Sequence, residues 1–465
     1  MCAVDSQRIN PAIVRAYDIR GCVGRQLSLH DAHALGLAYA SVARLQRRRY
    51  IAVARDGRLT SPELERALIA GLVAGGMQVS RLGLGPTPQL YFAICAGCLD
   101  GGIMVTGSHN PPDQNGFKLV LGGEPVFGSA LQTLVAAPRD AVGGGGVADV
   151  GAEEGHSTQA YVQSLSQIGT QAPSSLHVIW DCGSGATGAV IGALTDRIPG
   201  RHTLLNAAVD GRFPAHHPDP AVADNLRQLQ AAVLAERADL GIAFDGDGDR
   251  IGVIDSSGMI VWPDQLLLLL ALEALEHRSG VAVVADVKSS RVLFEEVKRR
   301  GGRPIMAPSG YVRVRAAMLK ESAPLAGEMS GHIFFKDCWH STDDALFVAM
   351  RVLLALGRFG GSLREFRQSL PPTATTPELR LHCPEYRKMQ VISEVSERLS
   401  ASNAVHVDTT DGLRVTTEDG WWLLRASGTE PKLTARCEAA DPAGLARLQR
   451  ALMSQLARSG VQCGT

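Results

Sequence analysis

One short unit recurs along this chain: an apolar run of strand length, a polar loop rich in glycine, then an amphipathic stretch of helical period. Residues 50–54 (YIAVA) pass through Arg55-Asp56-Gly57-Arg58 into a stretch opening Ser61-Pro62-Glu63, where Ser61 is expected as helix N-cap and Pro62 at the first helical position. HVIWD leads through CGSGATG into AVIGALTDRI, ADLGIAF ends on DGDGDR, and VAVVAD runs through VKSS into RVLFEEVKRRG. Strands alternating with helices exclude all-α and all-β folds and predict α/β domains with mainly parallel or mixed sheets. The recurrence is one of architecture and not of residue period, which excludes a solenoid.

Past Pro371-Pro372-Thr373 the pattern changes to strands (AVHVD, GLRVTTEDG, WWLLRA, LTARCEA) flanking two helical runs, a smaller α+β domain. Four domains are expected: 1–155, 156–257, 258–371 and 372–465. The first boundary follows a flexible stretch, Gly143 to Gly146, and the AEEG segment; the second falls at Ser256-Ser257-Gly258.

Composition narrows the function. With 46 Lys plus Arg against 47 Asp plus Glu, the formal net charge is -1, so no global basic field exists to hold a nucleic acid. The leucine run Leu266–Leu272 is too short to cross a bilayer, and the first twenty residues carry no apolar core of a signal peptide, so a cytoplasmic protein without membrane partners is expected. Nine cysteines, an odd number, fit free thiols in a reducing compartment. Cys95-x-x-Cys98 has redox or zinc spacing, but it lacks a second pair and sits in an apolar run (LYFAICAGC). Its cysteines are expected as small core residues of a buried helix.

Four polar loops, each after a strand, carry the chemistry, because α/β proteins place ligands there. In VTGSHNPPDQNGFKLV, Gly107 permits a sharp turn that presents Ser108 beside His109 and Asn110, with Lys118 ten residues on. Ser108 so displayed is a nucleophile or a phosphoryl carrier, or else a turn capping the Asn-Pro-Pro segment. In Asp245-Gly246-Asp247-Gly248-Asp249-Arg250, three alternate carboxylates repel one another unless a hard cation lies among them. An EF-hand is excluded, since its sixth and twelfth positions hold Arg250 and Ser256. The loop GEMSGH (327–332) offers Glu328 and Ser330 to hydroxyl groups and His332 for proton transfer. The fourth, Arg425-Ala426-Ser427-Gly428-Thr429-Glu430-Pro431, has the composition of a phosphate cradle. A fifth glycine motif, Gly183-x-Gly185-x-x-Gly188, copies a dinucleotide fingerprint. However, Asp210 lies beyond the end of the next strand, and a tight strand-to-helix turn is the better reading.

Taken together, RAYDIRG (15–21), TGSHNPP, DGDGDR, GEMSGH and RASGTEP resemble the phosphohexomutase superfamily, and within it the bacterial phosphomannomutase/phosphoglucomutase group, across essentially the whole chain. The resemblance implies three similar α/β domains with mixed sheets plus a smaller, mobile C-terminal α+β domain around a central cleft, and a monomer. It implies that Ser108 is carried as phosphoserine and that its phosphate completes a Mg²⁺ site of Asp245, Asp247 and Asp249. Tyr17, Arg20, Lys118, Arg250 and Lys288 would surround the transferring phosphoryl group. Glu328 and Ser330 would hold sugar hydroxyls, and Arg425, Ser427, Gly428 and Thr429 the non-reacting phosphate. His332 and Lys118 are the expected general acid and base. The implied reaction interconverts hexose 6-phosphate and hexose 1-phosphate (mannose, glucose or both) through hexose 1,6-bisphosphate. A mutase of another phosphosugar such as glucosamine phosphate, a dinucleotide-dependent oxidoreductase and a non-catalytic sugar-phosphate-binding protein are the alternatives. One position departs from the group: in Pro308-Ser309-Gly310-Tyr311, a Tyr stands where those enzymes carry a His.

Overall fold

The computed structural model describes residues 9–148, 156–336, 341–400, 405–427 and 432–461. The first sheet is built from β1 (Ile19–Cys22), β2 (Tyr50–Arg55), β3 (Gln78–Leu84), β4 (Gly101–Val105) and β5 (Gln114–Leu121), with Gly146–Ala148 at one edge. Strand β2 runs parallel to β3 and β4, whereas β5 turns back against β4 and β1 against β5, which makes the sheet mixed. Alternation along β2 sorts its side chains by face. Ile51 and Val53 pack under α1 (Leu29–Leu45) and α2 (Ser61–Ala74), while Ala52 and Ala54 meet α3 (Thr87–Ala96) on the other side.

A second mixed sheet holds the parallel strands Arg201–Leu205, His177–Asp181 and Leu240–Phe244, followed by the antiparallel Ile251–Asp255 and Ile260–Val261. In a third, Arg303–Ala307, Ala282–Asp286 and Leu325–Gly327 run parallel. The C-terminal sheet is antiparallel, and its inner face (Trp422, Leu424) is covered by Leu448, Leu452 and Leu456 of the helix Pro442–Arg458. These are the expected α/β and α+β architectures.

The chain divides into two compact units, Met1–Leu270 with Ser330–Arg364, and Ala271–Met329 with Glu365–Thr465. Within the second, the antiparallel sheet is tied to the end of the strand Ala282–Asp286. Buried Arg414 lies 3.7 Å from the centre of the Trp421 ring and donates to the carbonyls of Val287 and Ser289 at 2.7 and 2.8 Å. A guanidinium withdrawn from water gains both from the ring face and from the carbonyl dipoles.

Several local expectations change. Gly146–Ala148 pairs with β3, and Val142 and Gly143 donate to the carbonyl of Ala74, so the glycine stretch is tied to the first domain and leads into an edge strand of its sheet. Thr60, not Ser61, stands at the N-cap position of α2 without a side-chain capping bond, and the Ser61 hydroxyl donates to Asp56 at 2.5 Å. Cys95 and Cys98 are exposed: α3 buries Leu90, Tyr91 and Ile94 and ends at Ala96, leaving both cysteines off its core face. No single helix among the described residues is long and apolar enough to cross a membrane.

The three α/β sheets share one device that the apolar patterns do not announce. A strand in each is closed by a buried aspartate that gathers the neighbouring loops. Asp56, next after β2, accepts from Thr106 and Gly107 beyond β4. Asp181 accepts from the amide of Gly183, from Asn206 at 2.9 Å and faces His216 Nε2 at 2.9 Å. Asp286 accepts from the hydroxyls of Ser289 and Ser309 and from the amide of Met329. Removing such an acceptor strands several buried donors at once. Asp181→Ala is expected to cost about 3 kcal/mol of stability by denaturant titration. The Asp181 hydrogen bond raises the pKa of His216, so the ion pair contributes fully below the unfolded value of about 6.5 and fades as pH rises through the raised folded value. The deficit of the variant should therefore be larger at pH 5.5 than at pH 8.5; a deficit independent of pH would remove the ion pair from the account.

Candidate active site

In the first unit the serine and aspartate loops meet. Both are loops at strand ends, where backbone amides are free to bind a ligand or an acid. Ser108 sits at φ +48°, in the left-handed region that a non-glycine residue rarely adopts, and is 1% exposed. Its hydroxyl donates to Asp245 Oδ2 at 2.8 Å and lies 3.1 Å from Nδ1 of His109. Gly246 faces the Ser108 carbonyl so closely that a Cβ there would lie 2.5 Å from the oxygen, which requires glycine between the first two aspartates. On the other side of the same loop, a Cβ on Gly185 would meet Gly246 backbone at 2.7 Å, and one on Gly188 would meet the Ala207 carbonyl at 1.9 Å. The GSGATG glycines thus let protein backbone approach protein backbone, the close-packed turn that the sequence favoured over a dinucleotide site.

All three aspartates are buried, and their ligand oxygens lie within 4.8 Å of one another. Asp245 Oδ1 accepts the amides of Gly248, Asp249 and Arg250. Asp247 Oδ2 accepts from the Lys118 ammonium at 2.7 Å and from the Thr87 hydroxyl at 2.6 Å, and Lys118 also reaches Asp249. Burial with Asp249 and Asp247 pushes Asp245 well above the usual carboxylate range. Burial disfavours charge on Asp247 too, but Lys118 and the Thr87 hydroxyl outweigh it and hold Asp247 low. The same pairing keeps Lys118 charged in spite of its burial. Asp247 Oδ1 and Asp249 Oδ1 are buried with no hydrogen-bond partner among the described residues. Two orphaned carboxylate oxygens beside a third acid and a serine oxygen are an all-oxygen donor set, and they fit a hard divalent cation such as Mg²⁺.

Around this centre the structure brings together most of the first-unit residues expected from sequence. Arg20 is oriented by Asp18 (2.7 Å) and donates to the Gly107 carbonyl and to Asn110; Tyr17, beside it in the chain, is half-buried. His332 accepts from Arg250 Nε at 3.0 Å through Nε2, which assigns its proton to Nδ1, 2.9 Å from Asp343 Oδ2. Burial, then the cations Arg250, Arg20 and Lys118, push His109 well below the ordinary imidazole range and keep it neutral.

The second unit holds the remainder. Glu328 is buried and accepts the Gly310 amide at 2.6 Å, next to Tyr311, which opens the helix Tyr311–Lys320. Burial works against charge on Lys288, but Asp286 and Glu378, 3.7 and 3.6 Å away, outweigh it and raise its pKa. Arg425 is fixed by Asp411 at 2.9 Å, and the Ser427 carbonyl accepts from Lys388. Ser330 follows Met329 in the chain and falls in the first unit. Gly428 and Thr429 lie outside the described residues.

Three participants escaped the sequence reading. Thr87 is one, and Asp286, which ties the loops bearing Lys288, Tyr311 and Glu328, is another. Asp343 had a visible signal: Asp343-Asp344 precede the helix Ala345–Phe359, and one acid suffices to cap it. Asp344 accepts the Phe347 amide, which leaves its neighbour to turn toward His332.

Four family models for phosphoglucomutase/phosphomannomutase match in order: α/β/α domains I, II and III at residues 11–137, 159–258 and 262–374, and the C-terminal domain at 378–455. The chain is similar to a phosphomannomutase/phosphoglucomutase of Pseudomonas aeruginosa, 39% identical over 457 residues that cover 98% of each chain. It is also similar to a phosphoglucomutase of Neisseria gonorrhoeae, 40% identical over 439 residues, covering 94% of this chain and 95% of that one. Among solved structures, a phosphoglucomutase/phosphomannomutase family protein from Burkholderia thailandensis superposes with a TM-score of 0.89 at 38% identity, over 97% of this chain and 98% of the other.

The donor set generates a test that needs no activity. Asp247→Ala should weaken Mg²⁺ binding by roughly 100-fold in a calorimetric titration, since a lost ligand costs at least as much as a lost supporting contact. Unchanged binding would place the cation elsewhere.

Proposed function

The chain belongs to the phosphoglucomutase/phosphomannomutase family, and we propose that it moves the phosphoryl group of a hexose phosphate by way of Ser108, which carries one phosphoryl group between turnovers. The protein is a hexose-phosphate mutase, an isomerase of a Mg²⁺-dependent family. The observation that supports the phosphoserine route is the Ser108 hydroxyl placed 2.8 Å from an aspartate of the acidic triad, buried from water among cations.

In this reading phosphoserine donates to a hydroxyl of the hexose monophosphate. The sugar oxygen–phosphorus bond forms as the phosphorus–Oγ bond breaks, and the proton of the hydroxyl passes to His332, whose Nε2 takes it once Arg250 Nε turns from that atom to the phosphoryl oxygens. Net, Ser108 recovers its hydroxyl and a hexose 1,6-bisphosphate results, which after reorientation returns its other phosphoryl group to Ser108. The Asp343 carboxylate, 2.9 Å from His332 Nδ1, favours the tautomer with its proton on Nδ1 and its lone pair on Nε2. Lys118, Arg20 and Arg250 stabilise negative charge on the phosphoryl oxygens. A Mg²⁺ bound by Asp245, Asp247 and Asp249 would neutralise further charge there. Exclusion of water from Ser108 protects the phosphoenzyme from hydrolysis. Glu328 and Ser330 are assigned to sugar hydroxyls, Tyr17 and Lys288 to the transferring phosphoryl group, and Arg425, Ser427, Gly428 and Thr429 to the non-reacting phosphate. The reading extends to a monomeric, cytoplasmic enzyme of free phosphosugars with neither nucleic-acid nor membrane partners.

Intact mass decides the carrier. Protein incubated with glucose 1,6-bisphosphate should gain about 80 Da, one phosphoryl group. Ser108→Ala should gain nothing and lose at least about 10⁴-fold in turnover while melting normally. Near-normal activity in that variant would sink the route.

Substrate preference turns on Tyr311. Its neighbour Gly310 is hydrogen-bonded to Glu328, the residue assigned to the sugar hydroxyls. A tyrosine there brings a hydroxyl and a ring but no charge. Tyr311→His should lower KM for glucose 1-phosphate or mannose 1-phosphate by about 10- to 100-fold, the worth of one charge-assisted hydrogen bond. If neither kcat/KM nor their ratio moves, Tyr311 does not touch the substrate.

A further inference from the structure

Both backbone polar groups of Ser108 are held by side chains, one from its own loop and one from the segment after β2. The Ser108 amide donates to Thr106 Oγ1 at 2.7 Å, and the Ser108 carbonyl accepts from Arg58 Nη2 at 2.7 Å. Arg58 is fully buried, and its remaining donors go to the same loop: Asn110 (2.6 Å), Pro111 (2.6 Å) and Gln114 (2.9 Å) through their carbonyls. Its Nε meets Asp56 Oδ2 at 3.2 Å, and that oxygen also accepts the Thr106 hydroxyl at 2.8 Å and the Gly107 amide at 3.1 Å. One carboxylate thereby holds both hands of the grip. A left-handed φ at a non-glycine residue persists only where its surroundings over-determine it, and here they do.

We propose that Arg58 and Thr106, both anchored by Asp56, are positioning residues that clamp the main chain of the phosphoryl-carrying serine, so that Oγ holds one place whether it bears a proton or a phosphoryl group. The proposal rests on the phosphoserine reading and goes beyond it. None of the three residues needs to touch substrate. The carrier alternates between a neutral hydroxyl and a phosphate of charge near −2 in each cycle. A loop held only by packing would shift with that charge, and the two half-reactions would then meet the nucleophile and the leaving group in different places. Four carbonyls collected on a planar guanidinium resist such a shift. A lysine in its place would supply a point charge with three donors and could not span them.

Thr106→Val and Arg58→Lys test the clamp, with Ser61→Ala as the control that breaks a different hydrogen bond to Asp56. Three quantities are read: kcat, KM, and the rate at which glucose 1,6-bisphosphate adds about 80 Da to the protein. Thr106→Val should melt within a few degrees of wild type, load more slowly and lose kcat by about 100-fold with little change in KM, the cost of a nucleophile misplaced by about an ångström. Arg58→Lys should lose more, and if it does not fold, Thr106→Val decides alone. Ser61→Ala should lower the melting temperature without slowing loading. Loading at the wild-type rate in Thr106→Val overturns the clamp alone, whereas wild-type protein that accepts no phosphoryl group overturns the phosphoserine reading itself.

Discussion

Packing three carboxylates into one five-residue turn, away from water, is the constraint around which the first unit is built. Each buried ion carries a desolvation cost of several kcal/mol that only close, well-directed partners offset. The turn supplies three amides to Asp245 and nothing comparable to the other two acids. Their partners come from the first sheet instead: Lys118 from the middle of β5 and Thr87 from the opening of α3. The acids of one sheet therefore draw the cation and hydroxyl of another to themselves, and the serine loop arrives with them. The site and the junction between the two sheets are one interaction seen from two sides.

Much of this was legible in the chain, and the legible part has a common cause. Strand-loop-helix units, the DGDGDR turn and the serine loop are local patterns, in which each residue's environment is set by neighbours a few positions away. HVIWD forms a strand over its whole length, and VAVVAD is one over Ala282–Asp286. What stayed hidden depends on partners distant in sequence. Nothing near Arg58 says that it will collect the carbonyls of Ser108, Asn110, Pro111 and Gln114. The glycines at 143–146 read as a linker because composition cannot show that the Ala74 carbonyl takes up Gly143 and that β3 offers Gly146 an unpaired edge. Cys95 and Cys98 read as core because the run around them is apolar, although Cys95 lies off the buried face of α3 and Cys98 beyond its end.

The GEMSGH loop is a different case. As sequence it is one motif, yet the chain passes from one compact unit to the other between Met329 and Ser330. Glu328 is organised by Gly310 in the second unit, and His332 by Arg250 and Asp343 in the first. Residues four apart in the chain thus owe their orientation to unrelated surroundings, and a motif that looks like a single instrument is two.

The strand-end aspartates carry the last consequence, which concerns descent. Asp56, Asp181 and Asp286 stand at equivalent points of three sheets whose loops otherwise share neither length nor chemistry. A chain assembled by triplication of one ancestral unit would leave such a trace, because a buried acid that ties neighbouring loops together cannot be exchanged without releasing all of them. One loop holds Ser108 in a left-handed conformation, one is a packed turn and one carries Glu328, each tied to a buried acid at the end of a strand.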